Sequence, residues 1–318
     1  MKLIIQIPCL NEEQTLPQVV RDLPKAIPGI DQIEILVVDD GSTDRTVAVA
    51  RELGVHHVLS LGRTCGLARA FTAGLQFALA QGADIIVNTD GDNQYCGADV
   101  GKLVEPILRQ GVDLVVGCRP IDSHPEFGWL KKLLQRFGSG VLRSLSQTTV
   151  QDAASGFRAF SRPTAQRLFV HSRFSYCMET LIQAGNLRLH VLSVDIRVNR
   201  KTRESRLFKS TPEYLWKSGR TMASMFVHYR PGRFFGVLSG ICFAGAGLLG
   251  LRFIYLVYLV ANPQSHRTYL PSLILLATLA AFGCGLALMA VIAELIRTQS
   301  RLLEEVLFEL RRKSDPKK

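Results

Sequence analysis

Two aspartates, Asp90 and Asp92, stand one residue apart with Gly91 between them, directly after the apolar run Ala83-Asp84-Ile85-Ile86-Val87. The run reads as a short buried strand. Two carboxylates so spaced at a strand end can both turn toward one cation. A hard divalent ion such as Mg²⁺ or Mn²⁺ takes oxygen ligands, usually one or two carboxylates completed by substrate phosphates. The competing reading is an ordinary Asp-Gly turn that closes the strand. The company these acids keep decides between the two.

Other acids follow other strand-like runs. Lys2-Leu3-Ile4-Ile5-Gln6-Ile7-Pro8 predicts a first strand, leading to Cys9-Leu10-Asn11-Glu12-Glu13. An amphipathic helix built on Leu16, Val19, Val20 and Leu23 comes next. Residues 33–38 predict a second buried strand that ends in Asp39-Asp40-Gly41-Ser42-Thr43-Asp44. A helix over 44–54, a strand over 55–59 and a helix over 66–81 lead to the strand before Asp90. Alternating strands and helices with near-continuous apolar strands predict an α/β domain, a mostly parallel sheet wrapped by helices. Sites in such sheets form beyond the carboxyl ends of the strands. Glu12, Asp39, Asp40, Asp90 and Asp92 all fall there, which a random turn would not explain.

Further along, residues 114–119 predict a strand with Arg119 at its tip, and 152–158 a loop of mixed charge containing Asp152 and Arg158. Residues 129–145 have a helical apolar pattern with Lys131, Lys132, Arg136 and Arg143 on the other face. That pattern fits either a membrane-surface helix or a solvated face over a core stripe. A helix over 176–184, an edge strand over 191–198, a basic loop over 200–206 and an amphipathic helix over 212–229 complete this part.

The chain has 318 residues, 47% of them hydrophobic, and a net charge of +11. The charge is uneven: between Arg188 and Arg233 eleven Lys/Arg face three Asp/Glu. Such a surplus suits phosphates or an anionic membrane surface. A nucleic-acid-binding protein would also carry it, but would leave the acid pair and the apolar C-terminal segments without a role, so no nucleic acid is expected. The seven cysteines show no Cys-x-x-Cys spacing, which argues for reduced thiols and against a disulfide framework or a zinc site. The chain enters a strand pattern at Lys2, so no cleavable leader is expected.

Two long apolar segments follow, 234–260 interrupted only by Arg252 and 269–296 interrupted only by Glu294. A membrane span needs about 20 apolar residues. Lys and Arg flank both outer ends, so a hairpin with both termini cytoplasmic is expected, multi-pass in the cell membrane. Arg252 then lies near the outer interface, where it can snorkel, and Glu294 near the inner one, too far apart to pair. Gly236-x-x-x-Gly240, Gly245 and Gly247 would permit close helix packing, and between copies a homo-oligomer. The expected organisation is a catalytic domain over 1–210, a juxtamembrane helix over 211–233, the hairpin over 234–296 and a basic tail over 297–318.

Pro8-Cys9-Leu10-Asn11-Glu12-Glu13, Asp39-Asp40-Gly41-Ser42-Thr43-Asp44 and Asp90-Gly91-Asp92-Asn93-Gln94, in that order, resemble the inverting glycosyltransferases of family two, whose nucleotide-sugar domain is of the GT-A kind. Gly117-Cys118-Arg119, Asp152-Ala153-Ala154-Ser155-Gly156-Phe157-Arg158 and Arg200 with Ser205-Arg206 look like motifs of its polyisoprenyl-phosphate branch, the dolichol-phosphate mannose synthases and bactoprenol glucosyltransferases. The resemblance covers about residues 1–230. The chain departs from it at Arg63-Thr64-Cys65-Gly66, where the family often has Asn, and at Cys118, where it has Ser.

The resemblance implies that Pro8, Asn11, Glu12 and Asp40 line the nucleotide pocket, with Asp39 either joining them or capping a helix. It implies that Asp90, Asp92 and Gln94 hold Mg²⁺ or Mn²⁺ against the diphosphate. Arg119, Lys132, Arg136, Arg200 and Arg206, with Ser205, would hold the diphosphate and the lipid phosphate. That acceptor is already anionic, so no general base is required. Asp152 is the candidate if there is one, and otherwise pairs with Arg158. The implied reaction moves a hexose, glucose from UDP-glucose by analogy of the hairpin, onto undecaprenyl phosphate at the bilayer surface. GDP-mannose is the alternative donor. A processive polysaccharide synthase would carry more spans and a Gln-x-x-Arg-Trp motif, which this sequence lacks.

Overall fold

The run of acids at strand ends has a structural origin in how the strands are ordered. A computed structural model describes residues 1–120, 150, 152–170, 176–199, 224, 227, 230–257 and 270–313. Its strands are β1 (Lys2–Cys9), β2 (Gln32–Asp39), β3 (His57–Ser60), β4 (Ile85–Asn88), β5 (Leu114–Cys118), β6 (Arg158–Ser161) and β7 (Val191–Asp195). They form one sheet in the order β3-β2-β1-β4-β6-β5-β7. β1 runs parallel to β2 and β4, and Cys9 lies beside Asp39 and Gln6 beside Asn88. All three strands therefore finish at one edge.

The sheet is mostly parallel, with one exception among the described strands. β6 is antiparallel to both neighbours, pairing Asn88 with Arg158 on one side and Val116 with Arg158 on the other. Because it runs backwards, the loop before it, 152–157, enters from the edge at which the parallel strands end. The loop expected over 152–158 thus stops one residue early. A strand of four residues that starts with a buried arginine gives no strand pattern in the sequence.

Helices α1 (Leu16–Asp22), α2 (Thr46–Glu52), α3 (Leu67–Ala80), α4 (Val100–Gln110), α5 (Arg162–Arg167) and α6 (Tyr176–Asn186) accompany the sheet. The central strands are buried along almost their whole length, which is why they read as continuous apolar runs and not as alternating ones. Each fully buried residue such as Leu3, Ile5 or Ile7 contributes ~1.5–3 kcal/mol. α4 and α5 add to the helices expected from the sequence. α4 stops at Gly111, whose left-handed φ of 63° ends the helix without Cβ strain.

Residue contacts divide the chain into two units, Met1–Lys209 with Glu304–Lys318, and Ser210–Leu303. The second holds α7 (Pro231–Tyr255) and most of α8 (Leu270–Lys313). Their most apolar stretches have mean hydropathies of 2.0 and 2.4 and are only 11% and 6% buried. Both helices are long and apolar enough to cross a membrane. α7 starts at Pro231, a favoured first helical position, and α8 continues without a break past residue 296. Ser239 Oγ donates to the Gly283 carbonyl at 2.8 Å, and a Cβ on Gly283 would stand 3.2 Å from the Phe243 ring. Close packing thus falls at Gly283, while a Cβ on Gly236, Gly240 or Gly247 would meet nothing within 4 Å. Glu294 pairs with Arg297 at 3.2 Å. The expected helices over 129–145 and 212–229, and the basic loop over 200–206, lie outside the described residues, apart from residues 224 and 227.

Candidate active site

The loops after β1 and β2 are tied to one another. Asn11, in a left-handed conformation with φ 56°, receives the Thr43 N–H on its side-chain oxygen at 2.8 Å and gives its own N–H to Ser42 Oγ at 2.9 Å. Glu12 is buried; its N–H reaches Thr46 Oγ1 at 2.8 Å and its carboxylate receives Thr15 Oγ1–H at 2.8 Å. Pro8 is buried near the end of β1, with its carbonyl 3.3 Å from where a Cβ on Gly91 would lie. That same Cβ would stand 2.9 Å from Cys9 Sγ, so glycine alone lets the Asp90–Asp92 turn approach the end of β1.

Asp39 and Asp40 turn to different tasks. Asp39 accepts the Ser42 N–H at 2.9 Å and the Ser60 hydroxyl at 2.8 Å, fixing the turn and the end of β3. Asp40 accepts the N–H groups of Cys65 and Gly66 at 2.7 and 2.9 Å, at the entrance of α3. α2 and α3 both begin without a side-chain cap, so the capping role considered for Asp39 is taken up neither by Asp39 nor by Asp40. The two bonds to Asp40 hold the 63–66 stretch, whose Arg63–Thr64 backbone comes within 2.6 Å of a Cβ on Gly41.

Asp90 lies at the centre. Burial first, then the charge of Asp92, pushes its carboxyl up to about 7, against the pull of the Arg119 and Arg158 guanidiniums. Its two oxygens sit 2.9 Å from where a Cβ on Gly156 would be, and the Tyr176 hydroxyl sits 2.6 Å from the same point. Gly156 is held on both sides: its N–H goes to Tyr95 Oη at 3.0 Å, and its carbonyl receives Asn88 Nδ2–H at 2.9 Å. Asn88 also donates to Tyr176 Oη and accepts from Gln6 Nε2, both at 2.9 Å. The floor beneath Asp90 is thus a buried polar network that joins β1, β4, the 152–157 loop and α6.

Arg119 and Asp152 form a bidentate pair, Nε to Oδ2 at 2.6 Å and Nη2 to Oδ1 at 3.0 Å. Burial alone would lower the Arg119 pKa; the Asp152 carboxylate outweighs it and holds the guanidinium above its ordinary value. This corrects the expected Asp152–Arg158 pair. Both Asp152 oxygens are thereby engaged by Arg119. Arg158 is fully buried and donates to Ser155 O at 2.7 Å, Ala153 O at 2.8 Å, Cys177 O at 2.6 Å and Thr180 Oγ1 at 2.7 Å.

Asp92 Oδ1 accepts the Gln94 N–H at 3.0 Å, which ties the Gln94 backbone to the acid turn. Lys132, Arg136, Arg200, Ser205 and Arg206 lie outside the described residues. Among the described residues no group of three or more His, Cys, Asp or Glu could by itself hold a metal. Two neighbouring carboxylates, one of them pushed up to about 7 by burial first and by the other's charge second, fit a hard cation completed by phosphate oxygens and not an all-protein cage. The sequence alone gave no sign of Tyr95, Tyr176 or Asn199 at the site; a tyrosine or an asparagine at a buried position carries no periodic signal.

A mixed sheet with helices on it, and acids at the ends of β1, β2 and β4, is the GT-A class of fold. Glucosyl-3-phosphoglycerate synthase from Mycobacterium tuberculosis, solved with Mn²⁺, UDP and phosphoglyceric acid, shares it. The TM-score is 0.54 at 22% identity, over 71% of this chain and 77% of that one. The sequence pattern of glycosyl transferase family 2 matches residues 4–169. The polyprenol monophosphomannose synthase of Mycolicibacterium smegmatis is 30% identical over 185 residues, 55% of this chain and 68% of the relative. The undecaprenyl-phosphate mannosyltransferase of Micrococcus luteus is 27% identical over 219 residues, 65% and 88%. The UDP-N-acetylglucosamine–dolichyl-phosphate N-acetylglucosaminyltransferase of Methanococcus voltae is 31% identical over 213 residues, 60% and 83%. The chain belongs to glycosyl transferase family 2, and it is a glycosyltransferase.

Proposed function

We propose that this chain transfers a hexose from a nucleotide sugar to a polyisoprenyl phosphate at a membrane surface. The observation that carries the reading is the placement of Arg119, oriented by Asp152 and close enough to Asp90 to lower its pKa. One fixed cation beside an acid pair suits two anionic phosphates meeting at one carbon. In the proposed reaction a phosphate oxygen of the acceptor forms the new bond to the anomeric carbon as the bond to the diphosphate breaks. The electron pair leaves with the nucleoside diphosphate, and the anomeric configuration inverts. The acceptor is ionised beforehand, so no residue needs to take a proton, in keeping with an Asp152 that is committed to Arg119. A divalent ion held by Asp90, Asp92 and Gln94 would supply Lewis-acid neutralisation of the leaving diphosphate. Arg119 would orient the phosphates through its planar fork.

The names of the relatives support the acceptor class, since each of the three carries a polyprenol, undecaprenyl or dolichyl phosphate. α7 and α8 would form the anchor, with their Lys/Arg-flanked ends cytoplasmic, and would bring the site to a lipid that cannot leave the bilayer cheaply. For the donor we favour UDP-glucose from the form of the hairpin. Two of the relatives' names favour mannose and a third N-acetylglucosamine.

The test is radiolabel transfer from UDP-glucose, GDP-mannose and UDP-N-acetylglucosamine to undecaprenyl phosphate, in detergent with Mg²⁺ or Mn²⁺. Label in the lipid from one donor establishes reaction and sugar together. Folded protein that labels no lipid from any donor, or labels a water-soluble phosphate instead, overturns the acceptor assignment.

A further inference from the structure

The turn that carries Asp92 and Gln94 leans on a residue from the far end of the catalytic unit. Asn93 holds a left-handed backbone, φ 61°, a region in which asparagine is enriched among non-glycine residues, and the turn is held by bonds from elsewhere in the chain. The holding group is Asn199, which follows β7. Its side-chain Nδ2 faces three oxygens at 3.2 Å each, the Asn93 carbonyl, Asn93 Oδ1 and the Tyr95 carbonyl. Its backbone N–H donates to the Gln94 carbonyl at 2.9 Å. Every residue from 93 to 95 therefore receives a bond from this one asparagine.

The attachment is itself secured. Tyr95 and Val198 form an antiparallel bridge, and Cys96 N–H reaches the Arg197 carbonyl at 3.3 Å. Arg197 clasps the buried Asp99 through its backbone N–H and its guanidinium, both at 2.7 Å. On the other side the Tyr95 ring stacks on Phe157 at 5.2 Å between centroids, and its hydroxyl receives the Gly156 N–H. The turn is thus gripped between the strand end at 197–199 and the loop that floors Asp90.

We propose that Asn199 is a positioning residue for the metal-holding turn: by donating to Asn93 and Tyr95 it fixes where Asp92 and Gln94 present their oxygens. The inference rests on the reading of Asp90, Asp92 and Gln94 as the cation's ligands. Its chemistry is specific to an amide. An aspartate of the same shape would turn a carboxylate oxygen toward the three acceptors, and an alanine would leave them without this donor. Hard cations of the Mg²⁺ type demand near-ideal geometry, so a turn released by a few tenths of an ångström binds them worse even where the fold survives.

The test is Mn²⁺ titration of the full-length protein followed by electron paramagnetic resonance, with UDP or GDP present and no lipid acceptor. Wild type is compared with Asn199→Asp, Asn199→Ala, Asp92→Asn and Glu34→Gln. The last removes a carboxylate bonded to Lys2 and His57 at the opposite end of the sheet and serves as a destabilised control remote from the turn. The expected result is a 10- to 100-fold weaker Mn²⁺ affinity in both Asn199 variants, the range seen when partners that orient metal ligands are removed. Glu34→Gln binds like wild type and Asp92→Asn does not bind. Wild-type affinity in Asn199→Asp overturns the proposal and leaves the metal reading standing. So does an equal loss in Glu34→Gln, which would make the effect one of stability. Absence of Mn²⁺ binding by wild type, or binding that survives Asp92→Asn, overturns the metal reading and this proposal with it.

Discussion

Replacing Arg158 by methionine tests how the 152–157 loop is held. The guanidinium is fully buried, and its donors reach the carbonyls of Ala153, Ser155 and Cys177 and the Thr180 hydroxyl at 2.6–2.8 Å. Methionine fills much the same length but offers no donor. Three carbonyls are then stranded, each at ~1–3 kcal/mol, while removing a buried charge returns part of that by relieving its desolvation. We expect a net loss of about 3 kcal/mol, which at about 2–4 °C per kcal/mol lowers the melting temperature by about 6–12 °C. Thermal unfolding in one detergent at one scan rate reads it, because large proteins often unfold irreversibly. Arg158→Lys is expected to recover little. An ammonium is a point donor and cannot span acceptors on both the loop and α6. A methionine variant that melts within about 2 °C of wild type would show that water satisfies these carbonyls, and the account of the loop as side-chain-pinned would be wrong.

Asp152→Asn separates the two roles open to that residue. If it orients Arg119, turnover falls about 10- to 100-fold, the size of effect for an orienting partner, and the pH profile keeps its shape. Disappearance of a titrating limb would instead identify Asp152 as the base. Acid unfolding probes the Asp99–Arg197 clasp. Burial raises the Asp99 carboxyl, but hydrogen bonds from Arg197 and Lys102 outweigh it and bring the group from its ordinary 3.8 to about 2. The clasp therefore stabilises the fold above pH 3.8 and fades as pH falls from there toward about 2. Arg197→Gln is expected to move the acid midpoint upward within that window. An unchanged midpoint, followed by intrinsic fluorescence, would refute the linkage.

The strand ends and their acids were legible in the sequence because buried parallel strands leave unbroken apolar runs, and the residues after them are placed by the sheet itself. Asp90, Asp92 and Glu12 could be located without knowing any contact. What the sequence hid depends on pairing across distance. Arg119 and Asp152 stand 33 residues apart, and nothing in their local patterns favours that pair over Asp152 and Arg158. Four residues of β6 conceal an antiparallel strand, and with it the reason why the 152–157 loop arrives at the acids. Asn199 follows a weak edge strand, and its side chain acts 106 residues back along the chain. No spacing rule reaches so far.

The contact beneath the site between Gln6 and α3 bears on how the chain can change. A Cβ on Gly74 would stand 2.6 Å from Gln6 Oε1, a buried oxygen that has no hydrogen-bond partner among the described residues, while the Gln6 amide donates to Asn88. Gly74, Gln6 and Asn88 consequently behave as one variable. A larger residue at 74 calls for a shorter one at 6, and a shorter residue at 6 leaves Asn88 to find another donor. In a library randomised at these three positions, functional chains are expected to return linked combinations, with single replacements scarce among them. Adaptation of this enzyme toward a new donor therefore meets epistasis in the layer below the acids before it meets any limit in the loops above.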